Sequence, residues 1–80
     1  MQASEWMKHL VEAVVQETGA PADSVTVEAT AADIPGWDSL AHVRIMLNLE
    51  ARAGETVDID ATYTAGSVGE LTEILARQDG

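Results

Sequence analysis

The sequence contains no cysteine, which excludes disulfides and thiolate metal sites and fits a reducing compartment. Bases are nearly as scarce: Lys8, Arg44, Arg52 and Arg77 stand against fourteen acids, for a formal net charge of −10. Such a surface repels nucleic-acid phosphates and anionic membranes, aids solubility, and suits partners that carry basic patches. No apolar run approaches the roughly 20 residues of a membrane span. The start, MQASEWMKHL, also lacks the uninterrupted apolar segment of a signal peptide. There are no repeats, no low-complexity segments and no convincing cluster of metal ligands. The expectation is a soluble, cytoplasmic, monomeric protein that binds neither nucleic acid nor membrane. Its 80 residues make one small domain spanning 1–80, with a thin margin of buried surface.

The apolar pattern is helical almost throughout. Ala3, Met7, Leu10 and Val14, flanked by Trp6 and Val11, recur at three- and four-residue spacing and make one broad face. With Ser4 as N-cap, and Gly19 and Pro21 ending it, this predicts a first helix from about Glu5 to Glu17. A long connection follows, from Thr18 to Trp37. Its SVTVEA alternates like a strand but has no partner strand, so Val25, Val27 and Ile34 are expected to tuck onto the helices. Loops this long often carry function. A second helix starts at Asp38 or Ser39 and runs to Arg52 or Ala53, where Gly54 stops it. After the turn ETVDID comes a short helical piece near Ala61 to Thr64. Ser67 and Glu70 have the spacing of a capping box, opening a last helix whose buried stripe is Val68, Leu71, Ile74 and Leu75. The predicted fold is all-α. It is a small four-helix bundle, three main helices and one short one, with a long loop between helices one and two.

The second helix carries more apolar surface than one contact needs. His42, Ile45, Met46, Leu49 and Ala53 form one stripe, enough to pack against a core. Leu40, Val43 and Leu47 form another, more than a quarter-turn away. A central helix could bury both. In so small a bundle, part of the second stripe is expected to be exposed as a docking face, with Glu50 extending it.

That face begins beside a serine, in the stretch DIPGWDSLAHV. WDSL is similar to the GDSL of some serine hydrolases, and His42 follows Ser39 by three residues. However, there is no GxSxG elbow, the chain is too short for a hydrolase sheet, and His42 falls on the core stripe. A helix cap would explain Asp38 and Ser39 as local structure. It would not explain the long loop before them or the apolar stripe after them. Modification is the third reading, because a helix N-terminus stabilises an attached phosphate through its free amides and dipole.

Asp38-Ser39-Leu40, the flanking GWDSLAHVRIMLNLE, the helix order and SVGELTEIL resemble the acyl and peptidyl carrier proteins. The resemblance implies that Ser39 receives 4′-phosphopantetheine from coenzyme A and that Asp38 helps a phosphopantetheinyl transferase recognise it. It implies a non-catalytic carrier whose arm holds acyl or aminoacyl groups as thioesters. Leu40, Val43, Leu47 and Glu50 would then face loading, condensing and other synthase enzymes. There are departures from the family pattern. Ala53 stands where a phenylalanine is common, and the chain has no phenylalanine at all. Arg44, another docking residue of this helix, replaces an acid usual in fatty-acid carriers and so argues against docking to ordinary fatty-acid enzymes, and Trp37 precedes the motif. GWDSL with the following histidine looks more like the freestanding carriers of polyketide, nonribosomal or related specialised pathways. The alternative is an unmodified helical interaction domain docking through Leu40, Val43 and Leu47.

Overall fold

The computed structural model describes residues 1–78. Among these are four α-helices and no strand: α1 (Ala3–Thr18), α2 (Ser39–Ala53), α3 (Ile59–Thr62) and α4 (Val68–Gln78). α1 packs against both α2 and α4, and α3 lies against α4. The stripes read from the sequence make the core. Trp6, Leu10 and Val14 of α1 meet Ile45, Met46 and Leu49 of α2 and Val68, Leu71 and Leu75 of α4. Burying one large aliphatic side chain contributes about 1.5–3 kcal/mol. This cluster, more than helix propensity, holds helices of such modest length.

Two boundaries and one cap differ from the sequence expectation. α1 begins earlier, with Gln2 and not Ser4 as its N-cap. The Glu5 carboxylate reaches back to accept the Gln2 N–H at 3.3 Å, whereas Met7, three residues after Ser4, has no group to close a box there. α3 spans Ile59–Thr62, not Ala61 to Thr64, because Asp58 caps it, accepting the Ala61 N–H at 3.4 Å. At α4 the expected box is shifted. Ser67 Oγ accepts the Glu70 N–H at 3.1 Å, but Glu70 returns to the Gly66 N–H at 2.7 Å. Two apolar positions are also less buried than expected, since Ala53 and Ile74 lie only half-buried at the edge of the core. The C-terminal glycines behave as read: Gly19 and Gly54 sit at φ 76° and 70°, in the left-handed region that ends a helix.

The connection between α1 and α2 is ordered by what it does for α4. It holds two 3-10 turns, Ala22–Ser24 and Ala31–Asp33, and buries Val25, Ala29 and Ile34. Val27 tucks in only in part; it lies against α4 at Gly69 but is 56% exposed. It sits on a turn closed by the Ala29 N–H donating to Thr26 O at 3.1 Å, with one methyl lying over Gly69 of α4 and the rest in solvent. Its backbone is what matters. The Val68 N–H donates to Ala29 O at 2.8 Å and the Gly69 N–H to Val27 O at 2.9 Å. The loop thereby satisfies first-turn amides of α4 that no intrahelical carbonyl can reach.

Gly69 permits that approach. A Cβ there would lie 2.6 Å from Val27 Cγ1 and 3.1 Å from Val27 O. Gly69→Ala is therefore expected to lower stability by about 1–3 kcal/mol, the usual penalty of forced overpacking, although alanine is the better helix former. Thermal denaturation checks this. A more stable variant would mean that the loop yields freely.

Candidate functional site

The aspartate and serine at the start of α2 have separate tasks. Asp38 is the N-cap: it is extended, at φ −110°, and its Oδ1 accepts the Ala41 N–H at 2.8 Å. Ser39 is the first residue of the helix itself. It is exposed, and its hydroxyl has no hydrogen-bond partner among the described residues. The cap is thus assigned to the acid, and the serine is left available. Asp38→Ala should lower stability by about 1 kcal/mol, the usual loss of an N-cap. A shifted urea midpoint with an unchanged slope would show it.

Behind Ser39 lies a hydrogen-bond chain with one direction. Trp37 Nε1–H donates to His42 Nδ1 at 3.0 Å. Nδ1 must therefore be bare, so His42 is neutral with its proton on Nε2. Nε2–H meets Thr62 Oγ1 at 2.7 Å, and the Thr62 hydroxyl donates to Ile59 O at 2.5 Å. The rings reinforce the chain, Trp37 stacking on His42 with centroids 6.0 Å apart and Tyr63 tilting over it at 4.4 Å. Burial pushes the His42 pKa below its ordinary value, in keeping with the neutral form. Both ring nitrogens are engaged, so neither is aligned to take a proton from Ser39. Tyr63 reaches the same helix end, its hydroxyl donating to the Ser39 carbonyl at 3.4 Å.

The outward face of α2 is partly as expected. Leu40 and Leu47 are 67% and 52% exposed, while Val43 between them is half-buried. Glu50 does not extend this face. It is half-buried, and its carboxylate accepts the Val57 N–H at 2.7 Å, tying the chain after α2 back onto the helix. Arg44 is paired across the helices, its Nε lying 3.6 Å from the Glu17 carboxylate on α1. Beside it Asn48 donates to Gln16 and Glu17 at 3.1 and 3.0 Å, and Arg52 also binds Gln16. The edge between α1 and α2 is a polar lattice. Sequence reasoning missed Thr62 and Tyr63 as neighbours of the serine, and the part Trp37 plays in holding His42. Their only sequence signal is polar or aromatic character near helix ends.

No family model matches the chain, and no solved structure matches it. Over 81 residues it is 31% identical to a protein of Saccharopolyspora erythraea named acyl carrier protein, and the match covers 96% of this chain and 85% of that relative. The chain belongs to the acyl carrier protein family. The helical bundle agrees with that membership, and a carrier role is its general function. An acyl carrier protein carries a phosphopantetheine prosthetic group, and the start of α2 fits one. It offers an exposed, unpartnered hydroxyl at the first residue of a 15-residue helix, where amides without intrahelical acceptors and the helix dipole favour a phosphodiester. No helix among the described residues is long and apolar enough to cross a membrane.

Proposed function

We propose that this acyl carrier protein presents acyl or aminoacyl intermediates as thioesters on a 4′-phosphopantetheine arm joined to Ser39, within a polyketide, nonribosomal or related specialised pathway. The observation that carries the reading is the unpartnered hydroxyl at the first position of α2, next to a separate capping acid. The bound group would supply a thiol on a flexible tether, which raises the effective concentration of cargo at each docked enzyme. The chain's own residues hold and display the attachment point. Asp38 fixes the helix end and offers the transferase a negative charge beside the hydroxyl. Leu40, Leu47 and the half-buried Val43 give partner enzymes an apolar surface on an acidic background, and Arg44, braced by Glu17, sets the local charge of that surface. The 80 residues act as one carrier domain in the cytoplasm, with no catalysis of their own.

Incubation with coenzyme A and a broad-specificity transferase should add one phosphopantetheine to each chain, read by intact mass. No gain in mass, while a control carrier is loaded in the same tube, contradicts the reading. The exposure of Leu40 and Leu47 also suits a second reading, an interaction domain that needs no arm. The two separate on Leu47→Asp and Ser39→Ala. In a carrier both variants abolish partner function, whereas an unmodified domain loses it only with Leu47→Asp.

A further inference from the structure

The cleft beside Ser39 has two compartments. An outer groove passes Ser39 and runs along Ala31, Ala32 and Trp37. Behind it an inner cavity of about 110 Å³ reaches Thr62, Val68 and Leu71. Trp37, His42 and Tyr63 line both compartments. Of these three, His42 is fastened on two sides, by the loop at Trp37 and by α3 at Thr62. Beyond the inner cavity the core is closed, with Ile45 and Leu75 fully buried.

We infer that His42 is a specificity-determining residue that limits the cargo shielded by this carrier to short, uncharged acyl groups. The inference rests on the carrier reading and adds to it a class of cargo. Size sets the first limit. An apolar cavity of roughly 150 Å³ holds one benzene molecule, so about 110 Å³ admits fewer heavy atoms than an aromatic ring. A chain of eight carbons would have to push His42 aside, leaving the buried Trp37 Nε1–H without its acceptor, or else lie in the outer groove of about 340 Å³, which is open to water. Charge sets the second limit. No lysine or arginine lines either compartment, and Asp38 stands at the rim, so a terminal carboxylate would enter without a counter-charge. Both nitrogens of His42 are already bonded, so cargo meets mostly ring faces and aliphatic groups, with Thr62 and Ser67 the polar part of the lining, which suits a small uncharged unit.

The test loads the arm-bearing protein with propionyl, butyryl, octanoyl or malonyl groups and follows thioester cleavage by hydroxylamine with intact mass. Propionyl and butyryl are expected to cleave about threefold more slowly than the same groups on free pantetheine, the factor for cargo shielded about two thirds of the time. Octanoyl and malonyl should cleave at the free rate. His42→Ala should extend the shielding to octanoyl. Thr62→Val, which removes one fastening of the imidazole and keeps the side-chain shape, should do so in part even if the alanine variant does not fold. Equal shielding of octanoyl and butyryl in the unaltered protein overturns the inference, as does the absence of shielding for the short groups. An unchanged chain-length profile in the Thr62 variant overturns it too. A protein that never accepts the arm refutes the carrier reading itself, and the inference falls with it.

Discussion

Ser39→Ala is expected to abolish transferase loading while the bundle stays as stable as before. Loading should fall to nothing because no other serine stands at the start of a main helix beside a capping acid. Ser4 lies inside the first turn of α1 and Ser67 is occupied with the Glu70 amide. Stability should hold because the cap belongs to Asp38. From the sequence alone, Ser39→Ala would remove one of two capping candidates. With the serine inside the helix and its hydroxyl unpartnered, the substitution resembles a surface change, worth within about 0.5 kcal/mol either way. Intact mass after incubation with coenzyme A reads the first part, and urea denaturation reads the second. Continued loading would move the attachment point elsewhere, and a collapse in stability would show that the serine has a structural task.

His42→Leu should produce the largest loss of stability, about 2–4 kcal/mol, and the loss should depend on pH. Leucine fills much of the imidazole's space but leaves the Trp37 indole N–H buried and unpaired, at about 1–3 kcal/mol. The ring contacts with Trp37 and Tyr63 add about 0.5–1.5 kcal/mol. A domain of this size is stabilised by only about 5–15 kcal/mol in total, so the variant should melt far earlier. The pH dependence follows from the lowered pKa of His42. Unfolded chains protonate this side chain near pH 6.5, while the folded protein resists protonation because burial disfavours the charged ring. The stability that comes from His42 is therefore fully present above about pH 6.5. It is lost as pH falls through the lower folded value. The gap between the unaltered protein and His42→Leu should be widest near pH 8 and narrow on acidification, measured by denaturant midpoints across that range. A gap that widens in acid would mean that the folded protein holds a charged imidazole.

The elements whose signals lie within a few consecutive residues were legible in the sequence. The stripes of α1, α2 and α4 needed only helical spacing, and Gly19 and Gly54 marked their helix ends because the left-handed turn favours glycine. Ser39 was legible as a candidate attachment point for similar reasons. What failed to show was any role decided by a partner distant in the chain. Glu50 reads as part of the docking face until the Val57 amide is found beside it, and the pairing of Arg44 with Glu17 appears only once α1 lies against α2. The pairing of His42 with Thr62 spans twenty residues, and no periodicity announces it. Val27 misled for a related reason. Its alternation with Val25 suggested a side chain turned fully inward, but its carbonyl is committed to Gly69, and the side chain rests on the surface of α4 with more than half of it in solvent.

The most direct measurement is peptide mass spectrometry of the chain isolated from its own host. The peptide containing Asp38, Ser39 and Leu40 should carry phosphopantetheine on Ser39, bare or with a short acyl group. Unmodified Ser39 in every copy, under conditions where other carriers of that host bear the arm, would contradict a carrier built on this serine.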